Sequence, residues 1–211
     1  EQWARVDIAA IDATRTWAQE MLERLKAHDP VCKVLQVNED ILGAYIYRAD
    51  VHDEFETNSA RISLYWCVIG LVSDWLDCSV ENLTVVVMAH ELAHAYTQLG
   101  ADIDGRRWPS VRFSDADTDL KEGLAQFYTL RALHRVEGRF PGAIGTFKAL
   151  LSKQPRPYHA HEPWTEHFSP EAVRQAMIAV RRWGEGRLDQ FNERLERAGE
   201  ILKPHRGAQL F

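Results

Sequence analysis

Two histidines four residues apart on a predicted helix, His90 and His94, constrain this chain more than any other feature. An i, i+4 pair projects both imidazoles from one helix face, a turn apart, so that both can reach a single ion. Neutral imidazole nitrogen suits Zn²⁺, and two histidines leave room for a third protein ligand and a water. Between them, Glu91 lies about 100° round the helix from His90. A glutamate there can act as a general base on a water at the metal.

The surrounding residues predict that this helix is buried. The apolar run Val85-Val-Val-Met88 precedes the histidine pair, Ser79 is typical of a helix start, and Gly100 is a plausible stop. Two histidines and a glutamate are costly in a buried helix unless they have partners. We therefore interpret the three residues as a metal site with its base, in preference to polar residues on a helix that merely packs.

A third ligand must come from elsewhere in the chain, and Glu122 is the favoured candidate. It lies within a second predicted helix, residues 117–136, which can pack antiparallel to the first. The small neighbours Gly123 and Ala125 would let the two backbones approach closely. The alternatives are the carboxylates that lie between the two helices or at the start of the second: Asp102, Asp104, Asp115, Asp117 and Asp119.

With Glu122 as the third ligand, the pattern His90-Glu91-x-x-His94…Glu122 resembles the gluzincin zinc metallopeptidases. It is most similar to their small single-domain members, the minigluzincins, and to compact regulatory peptidases of bacteria. The resemblance covers residues 79–133, about a quarter of the chain. It implies a zincin-like fold, with a small mixed β-sheet over the active-site helix and the glutamate-bearing helix behind it. It also implies that the predicted strand ending at Trp66 binds extended peptide by strand addition.

The chain departs from two related patterns. Metzincins have glycine and histidine where this chain has Thr97 and Gly100, which excludes that branch. Many gluzincins carry an aspartate four residues after the ligand glutamate to orient a zinc-bound histidine, and here that position is Gln126. An amide can accept the same hydrogen bond but raises the basicity of the ligand less than a carboxylate does. Asp119 is an alternative partner for the histidine.

A peptidase also needs a donor that stabilises the oxyanion of the tetrahedral intermediate. The resemblance implies a histidine or tyrosine from the segment after the ligand helix. Residues 157–164 hold three candidates, of which we favour His159 and His161 over Tyr158. The alternatives are a histidine-rich surface loop and a second metal site.

The order of predicted elements indicates an α+β fold in a single domain, residues 1–211. The N-terminal part, residues 1–100, contains an amphipathic helix, the strands and the histidine helix, whereas residues 101–211 are mostly helical. Residues 101–114 are predicted to form a loop, and residues 154–168 an ordered loop. The predicted strands are residues 33–37, 42–48 and 61–66, and the further helices are residues 5–28, 143–151, 170–182 and a last one ending near residue 199.

Composition narrows the partners and the compartment. A net charge of −6 disfavours a nucleic-acid binder. The longest apolar run, residues 64–72, is far shorter than the roughly 18 residues of a transmembrane helix. The cysteines are odd in number and widely spaced, which favours a reducing compartment, and we expect the cytoplasm. They are Cys32, Cys67 and Cys78.

The sequence therefore predicts a zinc-dependent peptidase that acts on a protein or peptide substrate. The ligands are His90, His94 and Glu122, and the base is Glu91. Its size and cysteine usage favour one specific intracellular regulatory partner as substrate. The alternative is a non-catalytic binding or scaffold protein, in which a fourth protein ligand such as His159 or His161 closes a structural zinc site.

Overall fold

The computed structural model describes residues 15–17, 19–20, 23, 41–49, 57–100 and 106–202. Within this part of the chain, two strands precede a helical remainder, which agrees with the predicted α+β class. The elements, in chain order, are β1 (Gly43–Ala49), β2 (Thr57–Leu64), α1 (Trp66–Trp75), α2 (Val80–Leu99), α3 (Ser110–Asp115), α4 (Thr118–Val136), α5 (Ala143–Leu151), α6 (Arg156–His159), α7 (Glu162–His167), α8 (Pro170–Trp183) and α9 (Leu188–Leu202).

The sheet is an antiparallel pair, in which Gly43 of β1 lies opposite Leu64 of β2. It packs against α2, where the Tyr45 hydroxyl donates a hydrogen bond of 2.7 Å to the side-chain oxygen of Gln98. The described residues contain no parallel strand pair, so the mixed sheet expected from the sequence is not seen in them. The predicted strand at residues 33–37 lies outside the described residues. Of the predicted helix at residues 5–28, the described residues are helical and the others lie outside them.

Helix α2 begins and ends where its sequence predicts. The Ser79 side chain accepts a hydrogen bond from the backbone N–H of Asn82 at 3.4 Å, which satisfies one of the free donors of the first turn. Glu81 adds a negative charge at the positive end of the helix dipole. At the other end, the Gly100 N–H donates to the carbonyl of Tyr96. These contacts fix the register of the histidine pair along the helix.

Two apolar clusters hold α2 and α4 in place. The first joins the N-terminal half of α2 to α1 and α5 through Leu83, Val87 and Leu150. The second gathers the helices after residue 107 around Trp164 and Phe191. Burying such side chains removes apolar surface from water, which is the main force that packs these helices. None of the helices in the described ranges combines the length and apolarity that crossing a membrane requires.

Three segments differ from their prediction. Residues 154–168, predicted as a loop, form the short helices α6 and α7, because Pro157 and Pro163 occupy first-turn positions that need no N–H donor. Trp66, predicted as the last residue of a strand, begins α1 and is 81% exposed. The predicted loop at residues 101–114 forms α3 at its end, and residues 101–105 lie outside the described part.

Gly186 provides a test of how the second cluster is joined to α4. Its φ is +76°, and a Cβ there would lie 2.5 Å from the Cβ of Ala116. Its carbonyl also accepts a hydrogen bond of 2.8 Å from the N–H of Asp117, at the start of α4. We expect Gly186→Ala to lower the free energy of unfolding by about 2 kcal/mol or more in urea denaturation, because it adds left-handed strain and a steric clash.

The matched control for this substitution is Gly145→Ala. Gly145 is exposed in the interior of α5, and a Cβ there would meet no atom within 4 Å. Because alanine is the better helix former, this variant is expected to be stabilised by up to about 1 kcal/mol. Equal effects of the two substitutions would contradict the steric account of Gly186.

Candidate metal centre

Helices α2 and α4 bring His90, His94 and Glu122 together. The Nε2 atoms of the two histidines lie 3.1 Å apart. The Oε2 atom of Glu122 is 3.2 Å from Nε2 of His90 and 3.5 Å from Nε2 of His94. The three side chains are mostly buried, with between 9% and 14% of their surface exposed. The structure therefore brings together the three ligands that the sequence predicts, and in the described residues they form a group that could hold a metal ion.

The triangle of ligand atoms has the size that a tetrahedral ion requires. Metal–nitrogen and metal–oxygen bonds of about 2.0–2.1 Å give a tetrahedron with edges of about 3.3 Å. The three observed distances, 3.1, 3.2 and 3.5 Å, lie on either side of that value. Imidazole nitrogens favour first-row transition metals over Mg²⁺ or Ca²⁺, which prefer sites built wholly from oxygen.

The charge state of Glu122 also suits a metal ligand. Its burial tends to raise the pKa of its carboxyl, but the electrostatic interaction with His94 and the close approach of both imidazoles lower it well below its ordinary value. Glu122 is thus an anion at neutral pH. Its Oε2 atom is buried, yet it makes no hydrogen bond of normal geometry to any described residue. A buried anionic oxygen in that condition fits coordination to a cation.

The rival carboxylates that lie in the described residues do not join this group. Asp117 accepts a hydrogen bond of 2.9 Å from the N–H of Leu188, at the start of α9. Asp119 lines a separate cavity beside Trp164, and Asp115 does not belong to the metal group. Two further rivals lie outside the described residues; these are Asp102 and Asp104.

Glu91 occupies the cavity next to the proposed ligands. It is 4% exposed and lines, together with His90, a small cavity between α2, β1 and α5. A Cβ added at Gly43 would lie 3.0 Å from Oε1 of Glu91 and 2.8 Å from Cγ1 of Val87. The carboxylate therefore packs against the backbone at the start of β1, where a larger residue than glycine would displace it.

Gly43 was not predicted as part of the site. The available signal was a glycine inside the predicted strand 42–48, which often marks a close approach of backbone to another group. What it approaches depends on how the sheet packs on α2, and this information is not local to residues 42–48. By contrast, Gly123 was expected to let α4 approach α2, but a Cβ there would meet Trp164 and Ala160. Gly123 therefore makes room for α6 and α7.

Of the three predicted oxyanion donors, the structure brings Tyr158 into the cavity with Glu91. The Tyr158 ring is 2% exposed and stacks on His90, with ring centroids 5.7 Å apart. His159 lines a different cavity, and its Nδ1 atom lies 2.9 Å from Oε1 of Glu162. His161 is buried with Nδ1 at 2.8 Å from the Tyr158 carbonyl. Its burial lowers the pKa of His161, so it is a neutral ring that supports the Tyr158 backbone.

The predicted partners of the histidine rings are engaged elsewhere. The Gln126 amide donates a hydrogen bond of 3.1 Å to the side-chain oxygen of Gln154, across the cavity from His90. Nδ1 of His90 is buried, with no hydrogen-bond partner among the described residues. Neither Gln126 nor Asp119 therefore orients this imidazole in the way that the resemblance implies.

Metal binding is expected to depend on all three ligands. In a titration with Zn²⁺ followed by calorimetry and thermal unfolding, we expect one ion per chain. At about 100 times the dissociation constant, the ion should add about 2.7 kcal/mol to the free energy of unfolding. Glu122→Gln and His94→Gln should abolish this gain, because each removes one ligand of three. The control is His134→Gln, an exposed histidine of α4, and loss of binding in that variant would contradict the assignment.

Comparisons of the chain with models of protein families, with curated proteins and with solved structures found no match. The metal centre is therefore inferred from this protein's own side chains. They are two imidazoles and a carboxylate, mostly buried together at the spacing of a tetrahedral ion, with a second buried carboxylate beside them.

Proposed function

We propose that this protein is a zinc-dependent peptidase. The observation that carries the proposal is the tetrahedral spacing of His90, His94 and Glu122, with Glu91 buried in the adjoining cavity. Two histidines and one carboxylate are a ligand set found at catalytic zinc. Three protein ligands leave the fourth position open to water or substrate. Zinc in such a site polarises a carbonyl and lowers the pKa of water.

In this mechanism Glu91 moves the proton. Its carboxylate accepts a proton from the water that attacks the peptide carbonyl, and it then gives that proton to the nitrogen of the leaving amine. The carbon–nitrogen bond breaks as the nitrogen is protonated, so one water is consumed and a carboxylic acid and an amine are formed. Its position against Gly43 holds the carboxylate on one side of the ligands.

Tyr158 is the group we propose as the oxyanion donor. A phenol can donate one hydrogen bond to the oxygen that becomes negative as the carbonyl is attacked. Its place in the Glu91 cavity and its stacking on His90 support this role. His159 and His161, which we favour on sequence, are held by contacts with Glu162 and with the Tyr158 carbonyl.

We propose that the substrate adds as a strand to β1. The N–H of Tyr65 donates to the carbonyl of Leu42, so in the alternating antiparallel pattern the N–H and C=O groups of Gly43 and Tyr45 point away from β2. No strand of the described residues pairs with that edge. Because Gly43 also lines the Glu91 cavity, β1 is better placed for this role than the strand ending at Trp66 expected from the sequence.

The competing proposal is a non-catalytic protein with a structural zinc. It needs a fourth protein ligand to close the site. The two candidates, His159 and His161, contact Glu162 and the Tyr158 carbonyl instead. No further histidine, cysteine or carboxylate of the described residues joins the three-residue group. These contacts support the open site. We propose a protein or peptide as the substrate and, from the cysteine usage alone, the cytoplasm as the compartment.

Substitution of the base separates catalysis from metal binding. We expect Glu91→Gln to keep one Zn²⁺ per chain and to lower peptide cleavage by a factor of about 10²–10⁴, because the amide cannot accept the proton. Cleavage is measured by mass spectrometry on a pool of peptides. The matched control is Glu81→Gln, an exposed glutamate in the first turn of the same helix, which should cleave as the unaltered protein does. Undiminished cleavage by Glu91→Gln would remove this residue from the mechanism.

Removal of the metal discriminates the two proposals. Because neither apolar cluster contains a proposed ligand, we expect dialysis against a chelator to abolish cleavage while the far-ultraviolet circular dichroism stays that of a folded helical protein. Restored cleavage on adding Zn²⁺ back is the control. Loss of the helical spectrum together with the metal would favour the structural site.

A further inference from the structure

The cavity beside Glu91 is small. Its volume is about 30 Å³, and it is bounded by Val86 and Val87 of α2, Leu150 of α5, and Gly43 at the start of β1. For comparison, a cavity of about 150 Å³ is one that accommodates benzene. A space one-fifth of that size accepts a methyl or hydroxymethyl group and excludes an aromatic or a branched aliphatic side chain.

Moving the walls of this cavity apart would cost free energy, because they are part of a packed core. Val86, Val87 and Leu150 are each no more than 4% exposed and belong to the first apolar cluster. Well-packed cores resist the insertion of additional methylene groups, because neighbours must leave their preferred rotamers. Gln126 and Gln154, which are joined by a hydrogen bond, line the cavity as well.

The chemistry of the base decides which part of a substrate enters this space. In the proposed function, on which this inference rests, Glu91 gives its proton to the nitrogen of the leaving amine. That nitrogen must therefore lie within hydrogen-bond reach of the carboxylate. The side chain of the residue that carries it, here called the amine-side residue, begins one carbon atom further on. Since Glu91 lines the cavity, the cavity is the space available to that side chain in this mechanism.

We propose that this peptidase selects substrates in which the amine-side residue is glycine, alanine or serine. The cavity has no volume for larger side chains, and the buried carboxylate of Glu91 disfavours an acidic one. Val87 and Leu150 are the residues that set the size limit. The substrate class is therefore polypeptide cut on the amino side of a small residue.

The test is a cleavage profile of the zinc-loaded protein on a pool of synthetic peptides in which every residue type occurs equally at each position. New N-termini are identified by mass spectrometry. Glycine, alanine and serine are expected there at least about tenfold more often than leucine or phenylalanine. Equal or greater release of large residues would overturn the size limit while leaving the peptidase proposal standing. If no peptide is cut, the proposed function fails, and this inference fails with it.

A variant of the wall makes the test specific to this cavity. Leu150→Ala enlarges it, and the preference for alanine over leucine as the amine-side residue should then fall about tenfold. The matched control is Leu195→Ala, which truncates an equally buried leucine of the second cluster and should leave the preference unchanged. Because Leu150 is a core residue, Gln154→Ala serves as a second enlarging variant at the less buried side. A preference that neither folded variant relaxes would overturn the proposal.

Discussion

Four ionisable side chains lie close together and mostly buried, three of them between α2 and α4 and one against β1. The cost of burying them is the constraint on which the rest of the structure depends. His90, His94, Glu91 and Glu122 would each be costly to bury singly, because water solvates them far better than a protein interior does. Three of them lie with their ligand atoms within 3.5 Å of one another. Such a cluster is tolerable when opposite charges, or an ion, offset the lost hydration.

The features predicted from sequence are those whose cause is local. The ends of α2 follow from the side chain of Ser79 and the position of Gly100, and the pairing of His90 with His94 follows from helical periodicity alone. Glu122 was identified because its helix could be recognised, although two helices must still meet for it to serve. For these residues, short-range sequence patterns were enough to predict their positions.

The features that the sequence left undetermined depend on packing between distant segments. Tyr158 reaches His90 because α6 forms in a segment with two prolines, and Gly43 meets Glu91 because the hairpin lies on α2. Nothing in the residues 157–164 distinguishes Tyr158 from its two histidine neighbours until the helix exists. His159 then faces another partner, since consecutive residues on a helix point in different directions, and His161 lies beyond the end of α6.

Gly123 packs closely against Trp164, and this contact bears on how far the protein can be shortened. Glu122 directly precedes Gly123, so the position of its carboxylate depends on the packing of α7. Through the contact of Trp164 with Phe191, it also depends on α9. A fragment ending after α4 would contain every proposed ligand yet lack the layer against which one of them is set. The helical second half of the chain thus helps to position the proposed metal ligands, and a shortened chain would lose the contacts that fix Glu122.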